Sequence, residues 1–193
     1  MTRALIGAAA AAAAMFILGF IFYASPLAKI GTGTLDNAGA AAVQQALAAN
    51  LPSTGTYSVP SADTPEQTVM YGRGPIATIH YNSRGFPVAD PSAMIVGFVH
   101  MLIVGLLMAV GLFTLSRYVP QFGEQVRLLV LGTLGAVAFM RLGEPIWYHH
   151  DWGHAIYVFV ADSVSLIVAG LIILKLLPRF PVATAQPEPS IDP

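Results

Sequence analysis

The stretch that decides the fold is Ala93 to Ser116, which reads AMIVGFVHMLIVGLLMAVGLFTLS and contains one strongly polar residue, His100. A helix needs about 20 consecutive apolar residues to cross a hydrocarbon core that is about 30 Å thick. Three further stretches meet this requirement: Ala4–Ala24, Leu128–Tyr148 and Ala155–Leu177. The sequence therefore predicts a mainly α-helical membrane protein built as a bundle of four transmembrane helices.

The composition agrees with lipid as the solvent for most of the chain. Only 10% of the 193 residues are charged and 55% are hydrophobic, with a mean hydropathy of +0.67. A soluble domain usually carries about 25% charged residues, because polar groups must cover its surface. The formal net charge of -1 supplies no basic field for nucleic acid. The absence of cysteine excludes disulfides and thiolate metal sites.

The spans divide the chain into four predicted parts. They are a first transmembrane helix (1–24), a small α+β extracytoplasmic lobe (25–92), a three-helix bundle (93–177, with spans 93–116, 128–148 and 155–177) and a disordered cytoplasmic tail (178–193). The first span is expected to stay as an anchor rather than be cleaved as a signal peptide. Its apolar run exceeds the roughly 7–15 residues of a signal sequence, and no A-x-A site closes it.

Basic residues near the span ends predict the orientation, because Lys and Arg concentrate in short cytoplasmic loops. With the N-terminus inside, five of them are cytoplasmic: Arg3, Arg117, Arg127, Lys175 and Arg179. The sequence thus predicts a multi-pass protein of the bacterial inner membrane, with both termini in the cytoplasm and the lobe in the periplasm.

Within the lobe, Asp36 is placed to cap a short helix that runs to Asn50 and ends at Leu51-Pro52. Three extended runs are expected after it, at 55–59, 68–71 and 76–81, followed by a turn at 82–85. Such a lobe is too small to bury a large core of its own, so we expect it to rest on the membrane helices.

Four ionisable side chains lie inside the predicted spans: His100, Arg141, Glu144 and Asp162. Counted inward from the outer span ends, three of them lie about 10 Å deep on three different helices. Glu144 follows Arg141 at the i,i+3 spacing that allows two side chains to pair. One interpretation is a structural clamp that fixes the helix arrangement. The other is a proton path or a site for a polar ligand, because charges inside a membrane usually serve function.

The turn between the third and fourth spans carries four possible metal donors, His149, His150, Asp151 and His154. Imidazole suits zinc and copper, so the turn is a candidate site for either metal or for haem. The competing interpretation is an interfacial belt, because amphipathic rings sit well at the level of the lipid headgroups. Four such rings surround the histidines: Trp147, Tyr148, Trp152 and Tyr157.

Two stretches resemble a group of uncharacterised bacterial four-span inner-membrane proteins. The first is Phe16-Ile17-Leu18-Gly19-Phe20 leading to Ser25-Pro26-Leu27, and the second runs from Ala49 to Pro60 as ANLPSTGTYSVP. The resemblance implies four spans with an outer lobe after the first helix, and an aromatic turn between the third and fourth spans. It implies no activity and no cofactor.

Three classes of function follow from these features. The first is an accessory, assembly or scaffolding protein without chemistry of its own, which contacts a partner membrane protein or another copy of itself through small-residue helix faces. The second is a metal-binding or redox protein that uses the histidine turn. The third is a small oligomeric transporter or proton-linked protein that uses the ionisable layer. No phosphate-binding or dinucleotide-binding glycine motif occurs, and the first class is expected.

Overall fold

A computed structural model describes residues 2–178 of the chain. Its elements in chain order are α1 (Thr2–Tyr23), a short 3-10 helix (Pro26–Ile30), α2 (Asn37–Asn50), β1 (Gly55–Val59), α3 (Pro65–Arg73), β2 (Ala77–Tyr81), α4 (Pro91–Tyr118), α5 (Phe122–Tyr148) and α6 (Trp152–Leu176). Residues 32–91 form one compact unit, the lobe, and α1, the 3-10 helix, α4, α5 and α6 belong to the other, the helical unit.

Four helices, α1, α4, α5 and α6, are long and apolar enough to cross a membrane. This confirms the mainly helical fold and the four predicted apolar helices. The main difference is the start of α5, which lies at Phe122 rather than at Leu128. Its first turns carry Glu124, Gln125 and Arg127, which are good helix formers but are not apolar. Hydropathy therefore finds the apolar part of α5 and misses its polar beginning.

In the helical unit, α1 packs against both α4 and α6. A Cβ atom added at Gly105 of α4 would lie 2.6 Å from the carbonyl oxygen of Ala8, so the two backbones meet where α4 has no side chain. Small residues permit such close approach between apolar helices. On the other side of α1, Gly7 faces Ile173 of α6, which is fully buried. The alanine-rich sequence of α1 thus fits a helix that is covered by its neighbours.

The remaining helix, α5, packs against α6. Leu129 of α5 occupies the space that a side chain at Gly170 of α6 would need. A larger share of the residues in α1 and α6 is buried than in α4 and α5. The core of the helical unit accordingly centres on α1 and α6, with further side chains from α4 and α5.

The lobe contains α2, α3 and an antiparallel pair of strands in which Gly55 pairs with Tyr81 and Val59 with Ala77. The Asp36 carboxylate accepts a hydrogen bond from the Gly39 amide at 2.7 Å, which confirms the predicted cap of α2. The first and third predicted extended runs, at 55–59 and 76–81, are confirmed as β1 and β2.

The prediction of an extended run at 68–71 is wrong, because these residues lie in α3. The local sequence Thr-Pro-Glu-Gln begins a helix here. Thr64 Oγ1 accepts a hydrogen bond from the Gln67 amide, and Pro65 occupies the first turn. The helix start formed by the Thr64 cap and Pro65 outweighs the weak strand preference of the residues that follow, which are Thr68, Val69 and Tyr71.

No residue between 32 and 91, all of which are described, is buried. Leu35 is 65% exposed, Phe86 is 64% exposed and Val88 is fully exposed. The lobe therefore has helices and strands but no buried hydrophobic core. The predicted tail lies outside the described residues except for Pro178.

Candidate functional site

The helical unit contains a chain of polar side chains that joins α5 to α6. Arg141 Nε donates a hydrogen bond to Asp162 Oδ2 at 2.9 Å. Arg141 Nη1 forms an ion pair with Glu144 Oε1 at 3.5 Å. All three side chains are about two-thirds to three-quarters covered by the protein. The structure thus brings together three of the four ionisable residues that the sequence placed in one layer, including the i,i+3 pair within α5.

Two residues that were not predicted to belong to this layer extend the chain at its ends. The Tyr23 hydroxyl of α1 donates to Asp162 Oδ1 at 2.6 Å, and His150 Nδ1 lies 3.3 Å from Glu144 Oε2. We refer to Tyr23, Asp162, Arg141, Glu144 and His150 as the polar network. It connects α1, α5, α6 and the turn between α5 and α6, so one set of polar contacts fixes three helices and the turn.

His100 lies apart from the polar network. It is exposed on α4, and no hydrogen bond or ion pair joins it to Arg141, Glu144 or Asp162 in the described part of the chain. Two residues earlier, Phe98 makes an edge-to-face contact with Phe16 of α1, with ring centroids 5.7 Å apart. Each residue turns a helix by about 100°, so a residue two positions from Phe98 points away from α1. The third helix in the network is therefore α1 and not α4.

The charges of the polar network do not balance when its histidine is neutral. Arg141 supplies one positive charge, whereas Asp162 and Glu144 supply two negative charges. With a neutral histidine the polar network therefore carries a net charge of -1. The partial exposure of its side chains lets water help to solvate that charge.

Next to the network, the C-terminal end of α1 is held by side-chain donors. The Tyr157 hydroxyl of α6 donates to the Phe22 carbonyl at 2.6 Å, and the Ser25 hydroxyl donates to the Ile21 carbonyl. The last carbonyls of a helix lack partners within the helix. Leaving such groups unpaired in lipid costs several kcal/mol each. Tyr157 and Ser25 therefore allow α1 to end beside α6 at the level of the polar network.

The four candidate metal donors of the turn have separate structural roles. His149 ends α5 in the left-handed conformation (φ 56°, ψ 32°), which histidine tolerates better than bulkier residues do. Asp151 caps α6, since its carboxylate accepts from the His154 amide at 2.6 Å. The His154 ring contacts the chain that follows α1, with Nδ1 2.8 Å from the Gly31 carbonyl oxygen. His150 contacts the polar network through Glu144.

Within residues 2–178, no three His, Asp or Glu side chains are grouped so that they could hold a metal ion. The predicted zinc or copper site at His149, His150, Asp151 and His154 therefore has no assembled ligand set here, and it stays a prediction. The nearby rings remain exposed, with Trp147, Tyr148 and Trp152 each at least half exposed. Their exposure fits the alternative of an interfacial belt.

No protein-family model, no curated protein and no solved structure matches this chain. The predicted likeness to four-span inner-membrane proteins therefore stays a prediction.

Proposed function

We propose that the chain is an accessory or scaffolding protein of the bacterial inner membrane, which holds a partner protein through its lobe. In this proposal both termini are cytoplasmic and the lobe is periplasmic. One observation carries it, namely that residues 32–91 fold without a single buried residue. The polar network then acts as a clamp that fixes the arrangement of α1, α5 and α6.

The physical reason is the shortage of buried surface in the lobe. A domain of about 60 residues is marginally stable even with a proper core, and a sheet of two strands is marginal in water. Covering a fully exposed valine or phenylalanine side chain stabilises a protein by about 1.5–3 kcal/mol. Val88 is fully exposed and Phe86 is 64% exposed, so the two offer much of this surface close together in sequence. A partner that covers them would supply the burial that the lobe lacks.

The faces of α5 agree with this proposal. A Cβ atom added at Gly132 or at Gly135 would meet no other atom within 4 Å, and Phe139 is 85% exposed. Small residues beside an aromatic ring form a surface that another helix can approach closely. The exposed side chains of the lobe remain the main evidence for a partner, and the face of α5 is a second surface against which the same partner can pack.

The test is photo-crosslinking of the full chain in its native membranes, followed by purification in a mild detergent and mass spectrometry. A photoreactive amino acid is placed at Phe86 in one variant and at Ile6, an exposed residue of α1, in the control. We expect one protein to copurify in stoichiometric amount and to crosslink at Phe86 but not at Ile6. A monodisperse single chain with no crosslinked protein at either position would refute the proposal.

A second function is favoured by the continuity of the polar network. Five side chains connect the end of α1 with the turn before α6. Acidic and histidine side chains linked in this way form proton relays in membrane proteins. We therefore keep proton-linked transport as the alternative. Four helices enclose little space, so transport would require an oligomer.

Proteoliposomes with an imposed pH gradient separate the two functions. A proton-linked protein would dissipate the gradient faster than empty liposomes do, and Asp162→Asn would abolish the difference. The accessory function predicts equal rates for the protein, the variant and empty liposomes. Asp162→Asn would then only lower thermal stability.

A further inference from the structure

The lobe contains a groove of about 520 Å³ between α2 and the strand β2. The lining residues of α2 are Ala40, Val43, Gln44, Leu47 and Ala48. Their spacing of three and four residues places them on one face of the helix. The opposite side is lined by the unbroken run 79–85. Residues 79–81 of this run belong to β2, and residues 82–85 follow it. A strand face would contribute every second residue, so three consecutive strand residues indicate that the groove reaches the backbone edge of β2 at its C-terminal end.

This edge of β2 has no strand beside it. The sheet in the described chain has two strands, and β2 pairs with β1 along its full length from Ala77 to Tyr81. The backbone N–H and C=O groups that point away from β1 therefore have no strand partner. Such a row of groups is a template for another extended chain. Its length is about 17 Å, at about 3.3 Å per residue.

Apolar side chains line the groove next to this edge. Val43 is about half exposed, Leu35 is more exposed, and Ile79 lies on β2 itself. A strand added at the edge would turn every second side chain toward them. The groove therefore combines backbone hydrogen-bonding groups with an apolar surface, which are the two parts of recognition by strand addition.

One end of the groove carries a fixed positive charge. Arg84 lines the groove and forms no ion pair with any carboxylate of the described residues. The loop that holds it is fixed by side chains. Thr54 Oγ1 accepts from the Ser83 amide at 3.1 Å, and Asn82 Oδ1 accepts from the Arg84 amide at 3.0 Å. These bonds fix the backbone of the loop, and the exposed guanidinium of Arg84 is suited to a carboxylate.

We propose that the groove binds an extended segment of a partner protein as a third strand on β2. The segment carries apolar residues at alternate positions and an acidic residue that reaches Arg84. This inference rests on the proposed accessory function and assigns the site and the class of ligand. A lipid would not satisfy the row of backbone groups. A second copy of the lobe that paired antiparallel through β2 would place the two Arg84 residues at opposite ends of the paired strands, so each Arg84 would lack the carboxylate of the other copy's edge as a defined partner, and self-association is an outcome that the test distinguishes.

The experiment uses the full chain in lipid nanodiscs and a random dodecapeptide library displayed on phage, with empty nanodiscs to remove background binders. The best binder is synthesised, and its affinity is measured by fluorescence polarisation. Peptide variants with a single N-methylated amide are then compared along its length. In an edge strand alternate amides point to the neighbour, so we expect methylation at every second position to weaken binding at least tenfold. The intervening positions should have little effect.

Arg84→Gln should weaken the acidic peptide about tenfold, which is the effect expected when one charge-assisted contact is lost. The matched control is Arg73→Gln, on α3 outside the groove lining, which should leave the affinity unchanged. Failure to select any peptide, methylation effects without a period of two, or equal effects of both arginine variants would each overturn the proposal. Self-association of the lobe that competes with every selected peptide would also overturn it, in favour of a second copy.

The outcomes for the groove and for the accessory function are separable. If no peptide binds but the partner still crosslinks at Phe86, the groove is refuted and the accessory function stands. If peptides bind as described but the chain has no stoichiometric partner in native membranes, the groove is real and the accessory function is wrong.

Discussion

The hydrogen bond between Tyr23 and Asp162 is the sharpest test of how the helical unit is held together. Tyr23→Phe removes one donor from the Asp162 carboxylate and leaves Arg141 at 2.9 Å on the other oxygen. A hydrogen bond to a charged group contributes about 1.5–3 kcal/mol, whereas interhelical bonds in a membrane protein average about 0.6 and reach about 1.7 kcal/mol. Because Asp162 is one-quarter exposed, we expect a loss of about 1 kcal/mol.

Asp162→Ala should cost more, because it leaves Arg141 with only the longer contact to Glu144 at 3.5 Å. Breaking a buried ion pair costs about 3–5 kcal/mol. The remaining carboxylate and the partial exposure of Arg141 reduce this value to about 2–3 kcal/mol. In the Asp162→Ala background the Tyr23 hydroxyl has already lost its acceptor, so adding Tyr23→Phe should cost little and the two effects should be non-additive by about 1 kcal/mol.

The measurement is equilibrium unfolding in mixed micelles with increasing SDS, followed by tryptophan fluorescence. The chain has two tryptophans, Trp147 and Trp152, at the end of α5 and the start of α6, so both report on this region. Tyr118→Phe is the control, because Tyr118 ends α4 and is 78% exposed. A coupling below about 0.3 kcal/mol, or equal effects of both tyrosine variants, would show that the polar network does not hold α1 to α6.

Three further variants test the packing of the helical unit, each by thermal unfolding in detergent. Gly105→Ala should destabilise the protein by about 1–3 kcal/mol, because the new Cβ would lie 2.6 Å from the Ala8 carbonyl oxygen. The control is Gly111→Ala on the same helix, where the new Cβ meets nothing outside its own helix within 4 Å, so this variant should be neutral or stabilising. Equal effects would contradict the close approach of α1 and α4. Asp151→Ala should cost about 1 kcal/mol through loss of the α6 cap, and Asp151→Asn should retain most of that stability. Stabilisation of the unchanged chain by zinc that is lost in Asp151→Ala would instead support the predicted metal site. Gly31→Ala should cost about 2 kcal/mol, because the new Cβ would lie 2.7 Å from the Tyr157 ring and force that ring away from its acceptor; unchanged stability would contradict the assigned role of Tyr157.

Local rules of sequence predicted the parts of this structure that depend on one element. Hydropathy found the four long helices, and the cap at Asp36 found α2. The i,i+3 spacing found the contact of Arg141 with Glu144, and a count of depth along the spans brought Asp162 to the same level. Apart from the depth count, which also assumes that the span ends lie at one height, each of these inferences needs only the geometry of a single helix.

The parts that were missed depend on how separate elements meet. The depths of His100, Arg141 and Asp162 were counted from the ends of their spans, which assumes that all span ends lie at the same level. The chain that leaves α1 instead continues beside the first turns of α6, where the Gly31 carbonyl meets His154. This places Tyr23 opposite Asp162, and α1 takes the position that was expected for α4 and His100. Tyrosine at the end of a span also looks interfacial in a sequence, so nothing marked Tyr23 as a partner of a buried carboxylate.

The contact between α1 and α6 has a consequence for biogenesis. Tyr23 and Asp162 are separated by 139 positions, so the ribosome must add most of the chain after α1 has entered the membrane before its partner exists. During that time only α4 can pack against α1, and the side of α1 around Gly7, which meets Ile173 of α6, stays uncovered. We expect the membrane insertion machinery to hold α1 until α6 arrives. A nascent chain that stalls before α6 should be a substrate for membrane proteases.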